Sequence, residues 1–313
     1  MFSRRDIIKM IIPLILQNIL SVTIGAMDSI MVSAAGEAAV SGVSLVGTLD
    51  VLLITAFSSL VTGGSVVISQ SLGENDNTMA RECAKQLIYV TTGIAVVITV
   101  IVGCVREPLL NLLYGKAATD VMQNAQDYFM IISLSFPFLA INSSCAALFR
   151  TMGNTVTPMG VSIGMNIINV IGNAVFIYGF HMGAAGAAIA TLISRIAGAA
   201  VGIVLLHNRK NTVYFDKILR YRPNIGIIKK MLYIGVPHGI EESFFSLGRL
   251  MTQSLISSMG TASIAANSVA STIANYQYMT SSAISSVVIP VVGRCIGAKK
   301  KTRLSNIQKC LCV

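Results

Sequence analysis

Eight times in 313 residues the chain runs through a continuous apolar stretch of 18 residues or more. The stretches are Ile7–Val32, Val43–Leu72, Leu87–Cys104, Tyr128–Phe149, Met159–Phe180, Ala184–Leu206, Lys230–Met259 and Ile264–Val292. At about 1.5 Å per residue each reaches across most or all of a hydrocarbon core of roughly 30 Å. Backbone polar groups have no water to bond there, so a spanning segment is a helix or part of a closed barrel. Barrel strands are short and alternate in polarity, whereas these runs are long and unbroken. An all-α polytopic membrane protein of about eight transmembrane helices follows. Composition agrees: 54% of residues are hydrophobic and 12% charged, against about 25% charged in soluble domains.

The net charge of +10 invites a nucleic-acid reading. Its distribution argues for topology and against nucleic acid. With the N-terminus in the cytoplasm, nineteen of the 23 Lys and Arg fall in or beside cytoplasmic segments. Arg106 and Lys116 lie outside, and Arg195 and Arg249 lie within spans. This is the excess of positive charge expected on the inner side of a plasma membrane, with contact to anionic lipid as a secondary effect. Met1-Phe-Ser-Arg-Arg-Asp6 enters the first span without a cleavage site, so no removable signal is expected.

Six cysteines are scattered without a Cys-x-x-Cys pair or an adjacent His pair, and read as small hydrophobes. The terminal Cys310-Leu-Cys312-Val has the outline of a prenylation box and is read as coincidence. No Gly-x-x-x-x-Gly-Lys-Ser/Thr loop and no nucleophilic or metal-binding constellation is present, which points away from an enzyme and from ATP as driver. No cofactor or metal is expected.

The polar stretch 207–229 divides the chain. Six spans precede it, in residues 1–206, and two follow, in 230–313. Aligning Pro13 with Pro237, an offset of 224, matches Met27 with Met251, Gly36 with Gly260, Ser44 with Ser268, Thr48 with Thr272 and Gly73 with Gly297 without a gap. An even number of spans per copy gives both copies the same orientation, a parallel repeat of the kind that holds substrate between two halves. The second copy has two of six spans, so a C-terminally truncated second lobe is the expectation.

Asp28 stands in the first span. A carboxylate at the centre of a span costs at least ~2.5 kcal/mol, a cost tolerated when the group faces a polar cavity. The competing reading puts it at the headgroups, since Ser33 to Ala39 resembles an exit loop. Asn166, Asn169 and Asn173 fall at helical steps of three and four and make one polar stripe. It is either a site or interhelical glue worth about 0.6 kcal/mol per pair. Glu241 and Glu242 follow Pro237; being adjacent they diverge by about 100°, so at most one is expected in a cavity, and Arg249 could pair with one. Asp50 lines a cavity or sits near the interface. Arg195 snorkels or pairs internally. Met27 and other methionines either line a repackable pocket or simply pack.

Several stretches resemble the MATE (multidrug and toxic compound extrusion) family. They are Pro13 with Met27-Asp-Ser-Ile-Met-Val32 and Gly36; Ser69-Gln-Ser-Leu-Gly73 with its repeat Gly293-Arg-Cys-Ile-Gly297; Leu148-Phe-Arg-Thr-Met-Gly-Asn-Thr-Val-Thr-Pro158; and Asn166-Ile-Ile-Asn-Val-Ile-Gly-Asn173 with Gly183-Ala-Ala-Gly-Ala-Ala-Ile-Ala-Thr191. The resemblance implies a six-helix N-lobe plus the first two helices of a C-lobe, flanking a cavity. It implies a cation-coupled antiporter exporting cationic or amphipathic small molecules, with H+ or Na+ as coupling ion. By the same resemblance Asp28, Asn169, Asn173 and Thr191 fall on an N-lobe coupling site, where Asn173 replaces a second carboxylate. Glu241 is a possible second-lobe coupling or substrate residue, one turn before the family position that Phe245 occupies, with Glu242 beside it. Asn166, Asp50 and Met27 are assigned to the substrate cavity. A flippase for lipid-linked precursors and a non-transporting fragment are the alternatives. The oligomeric state is open.

Overall fold

A computed structural model describes residues 4–115, 117–215, 223–258 and 261–299. Cys310, Cys312, the basic tail from Lys300 and part of the 207–229 stretch lie outside the described residues. Nine α-helices are described: α1 (Arg4–Ser33), α2 (Glu37–Gly73), α3 (Asn77–Tyr114), α4 (Thr119–Leu134), α5 (Phe136–Thr151), α6 (Val156–Asn173), α7 (Gly183–Leu206), α8 (Ile225–Ser258) and α9 (Thr261–Gly297). Six have the length and apolarity to cross a membrane, and the α4–α5 pair makes a seventh. The 34-residue α8 carries Lys229, Lys230, Glu241, Glu242 and Arg249 and does not meet that measure as a whole.

Local chemistry sets the boundaries. Gly36, at φ 102°, makes the turn into α2, a backbone conformation open to glycine. The Asp76 carboxylate accepts the Met79 N–H at 2.9 Å and caps α3. Asn154 accepts the Thr157 N–H at 3.1 Å at the start of α6, and Asn224 accepts the Ile227 N–H at 3.3 Å in α8. The apolar run Tyr128–Phe149 reads as one span; the structure breaks it at Ser135, with the axes of α4 and α5 bent by 47°. Pro137 explains the break, because it cannot donate to the carbonyl one turn back. Beyond Asn173 the chain widens into a π-helical turn, Ala174–Gly179.

The helices pack through small residues. A Cβ on Gly63 would stand 2.7 Å from the Gly235 nitrogen, so α2 and α8 touch backbone to backbone. α2 and α9 cross where the 224-residue offset brings equivalent positions together. A Cβ on Gly293 would lie 2.6 Å from the Cβ of Ser69, its own counterpart. Gly73 meets Arg294 while Gly297 meets Gln70, the same contact made twice with the copies exchanged. This reciprocity places a local two-fold axis at the crossing. α2 is the shared wall: α8, α9, α3 and α4 all pack against it.

The 207–229 stretch is less linker-like at its start than its polarity suggests. Val213 and Phe215 are buried in the core cluster that includes Ile68, Leu87 and Leu148. The Arg81 guanidinium lies 4.0 Å from the Tyr214 ring centroid and donates to the Thr212 carbonyl at 3.2 Å. That segment is thereby fastened to α3.

Candidate functional site: a carboxylate held by two asparagines

Asp28 lies half-buried on α1, facing α6. Asn173 Nδ2 donates to its Oδ1 at 2.7 Å. Asn169, one turn earlier on the same face of α6, reaches the same carboxylate. With its Nδ2 turned toward α1 it donates to Oδ1 at 2.9 Å and Oδ2 at 3.1 Å, while its Oδ1 accepts from the Thr191 hydroxyl of α7 at 3.2 Å. The reverse orientation gives Asn169 Nδ2 to Thr191 at 3.2 Å and accepts from Asn173 at 3.4 Å. It also turns an amide oxygen onto a carboxylate. Acceptor against acceptor is unfavourable, and N and O of an amide are assigned from such networks, so the first orientation is adopted here. The Thr191 hydroxyl is also 2.9 Å from the Ala187 carbonyl and has one proton for the two acceptors.

The site is dry on its α6 side: Asn169 is 7% exposed and Asn173 1%. A carboxylate there needs polar partners, and the two amides supply them. The approach of α6 to α7 depends on Gly172, where a Cβ would lie 2.9 Å from that of Ala190. A π-helical turn, Ala174–Gly179, follows directly after Asn173, and such turns are frequent at functional sites. Asn173 Oδ1 is buried without a hydrogen-bond partner. The site thus holds one carboxylate, amide and hydroxyl oxygens, and an unsatisfied acceptor. That oxygen-rich donor set suits a hard cation or a proton. Among the described residues no group of three His, Cys, Asp or Glu is placed to hold a metal.

Asp50 and Arg195 form a second charged feature that the sequence reading did not pair. Arg195 Nη2 lies 3.3 Å from Asp50 Oδ2, with the side chains 11% and 15% exposed. Arg195 Nη1 donates to Ser135 Oγ at 2.7 Å, at the α4–α5 break. Two opposite charges isolated within apolar spans were the available signal. Thr191 and Arg195 stand one turn apart on α7, so one helix serves both sites.

A cavity of about 1230 Å³ opens between α2, α8 and α9. Thr48, Val51, Leu52 and Thr55 line it from α2; Glu241, Glu242, Phe244, Phe245 and Arg249 from α8; Tyr278 from α9. Both glutamates border it, where at most one was expected, because the cavity is broad enough to meet adjacent faces of α8. Glu241 Oε2 is 3.7 Å from His238 Nδ1. Arg249, a candidate partner for the glutamates, lies over the Tyr278 ring at 5.6 Å. Three residues assigned to the cavity are not on its wall: Asp50 turns to Arg195, Asn166 stands one turn before Asn169, and Met27 lies exposed on α1.

These features define a helical, multi-pass membrane protein with a polar site inside its helix bundle and an open cavity beside it. The MatE family model matches residues 13–175 and 237–311. The chain belongs to the MatE family, a family of transporters and not of enzymes. It is 29% identical over 294 residues to the uncharacterized transporter YisQ of Bacillus subtilis, covering 92% of this chain and 64% of that protein. It is 24% identical over 311 residues to the probable multidrug resistance protein NorM of Thermotoga maritima, covering 97% and 66%. The chain therefore spans 64% and 66% of the length of these curated relatives. Among solved structures, a mutant of the Vibrio cholerae MATE transporter VcmN superposes with a TM-score of 0.90 at 21% identity, over 99% of this chain and 69% of that one. An outward-facing multidrug resistance MATE transporter of the MOP superfamily gives 0.89 at 19%, over 98% and 68%. At these identities the likeness is one of fold.

Proposed function

We propose that the chain acts in cation-coupled efflux of cationic or amphipathic small molecules across the plasma membrane, with its N-terminus in the cytoplasm. Residues 1–206 form one lobe, 230–313 begin the second, and 207–229 connect them. The observation that carries this reading is the convergence of Asn169 and Asn173 on Asp28, with Thr191 behind them. H+ or Na+ is the coupling ion. It neutralises Asp28 and, as a metal cation, would draw on the unsatisfied Asn173 Oδ1. With Asn173 in place of a second carboxylate, the site offers one negative charge.

Inverting the populations of two states takes about 5.5 kcal/mol of differential affinity. A charge neutralised in one state and exposed to water in the other is a source of that order. The cavity walled by Glu241, Glu242 and three aromatic rings suits a flat cation, with the carboxylates countering its charge and the rings stacking on it. A flippase for lipid-linked phosphates calls for a basic wall, and Arg249 is the one cation among the wall residues described. The test is ethidium efflux from proteoliposomes holding this 313-residue chain, under an imposed H+ or Na+ gradient. Gradient-dependent efflux supports the proposal. Efflux at the rate of empty liposomes under both gradients refutes it for this chain.

A further inference from the structure

A small, partly open pocket of about 80 Å³ lies between α2, α5 and α9, beside the α2–α9 crossing. Its walls include Arg150 in the last turn of α5, and Ser58, Thr62 and Ser286. Arg150 is half-buried. Among the described residues it makes no ion pair. No Asp or Glu lines the pocket. Two neighbouring hydroxyls have spent their protons on their own helices: Ser65 donates to the Val61 carbonyl at 2.8 Å and Thr151 to Leu148 at 2.7 Å. Among the described residues the hydroxyls of Thr62, Ser286 and the exposed Ser58 carry no such bond. A guanidinium with five N–H donors and three uncommitted hydroxyls therefore converge on one space. Pro290 leaves the Ser286 carbonyl without its helical donor, but one neutral acceptor does not balance a cation and so many donors.

We propose that this pocket binds a small monovalent anion of the halide class. Thr62 and Ser286 are the same position in the two copies, 224 residues apart. The anion sits astride the local two-fold axis, held by Arg150 and bridged by one hydroxyl from each half. Occupied, it joins α2 to α9 and favours the closed crossing; as the helices part, its coordination is lost. The ligand is distinct from the cation at Asp28 and from the transported molecule, and the proposal does not depend on either.

The test uses the full chain in detergent, with chloride, bromide or gluconate as sodium salts at constant ionic strength. The parent's unfolding midpoint rises saturably with chloride and bromide, by about 2 °C at tenfold the Kd, and gluconate does not reproduce the rise. Arg150→Gln abolishes the dependence. If that variant does not fold, Thr62→Val and Ser286→Ala keep the charge and each weaken halide binding by about fivefold. Bromide gives an anomalous scattering peak beside Arg150 in crystals of the parent. A midpoint indifferent to the anion, an Arg150→Gln protein that keeps the halide effect, unaltered halide affinity in both hydroxyl variants, or no bromide peak at Arg150 would each overturn the assignment.

Discussion

Gly297→Ala tests how the two halves close on each other. The residue ends α9, buried against the Gln70 carbonyl. A Cβ there would overlap that oxygen and stand 2.9 Å from the Gln70 carbonyl carbon and 3.1 Å from its Cα. Carbon atoms pack comfortably at about 3.5–4.0 Å, so the helices must part by roughly 1 Å. The obstruction is backbone and cannot rotate away. Overpacking of this kind costs about 1–3 kcal/mol, a shift of roughly 5- to 150-fold from the closed crossing toward an open one. Cys295, two residues away on α9, is buried and free and reports the opening. With Cys104, Cys310 and Cys312 replaced by serine, its alkylation rate should rise by that factor in Gly297→Ala. Gly73→Ala, the reciprocal position against Arg294, should do the same. Gly160 has open space around it, so Gly160→Ala is the control and should leave the rate unchanged. A folded Gly297→Ala protein whose Cys295 reacts at the parent rate would refute the close-packed axis.

Breaking the Asp50–Arg195 pair by Arg195→Met should destabilise the protein by about 3–5 kcal/mol, because it strands a buried charge. Arg195→Met with Asp50→Leu should recover most of that loss in thermal unfolding. Glu241→Gln and Glu242→Gln should each weaken ethidium binding by roughly fivefold, the worth of ~1 kcal/mol for one charge across water, read by fluorescence titration. Asn173→Asp places a second carboxylate beside Asp28, so its thermal stability should rise with added Na+ more steeply than that of the parent.

The all-helical, membrane-spanning fold was legible because hydropathy alone decides which segments can enter lipid. The repeat was legible as well, through Gly73 and Gly297, whose missing side chains let α2 and α9 meet. The break at Ser135 was less so: Pro137 was visible, but a proline marks a possible bend without giving its angle. The π-turn after Asn173 has no compositional signature. The Asp28 cluster could be named from helical spacing on α6 and from family likeness, yet its closure depends on Gly172 allowing α7 near. Asp50 and Arg195 escaped pairing because nothing local relates residues 145 positions apart. Glu241 and Glu242 were separated by helical geometry alone, which does not give the width of the cavity they border.

The carboxylate of Asp28 as the point of coupling is tested most directly by Asp28→Asn in proteoliposomes. The substitution keeps the shape of the side chain, and unfolding midpoints verify that it folds. Ethidium efflux driven by the cation gradient should fall to the level of empty liposomes. Efflux at the parent rate, with the same dependence on the gradient, would contradict the account.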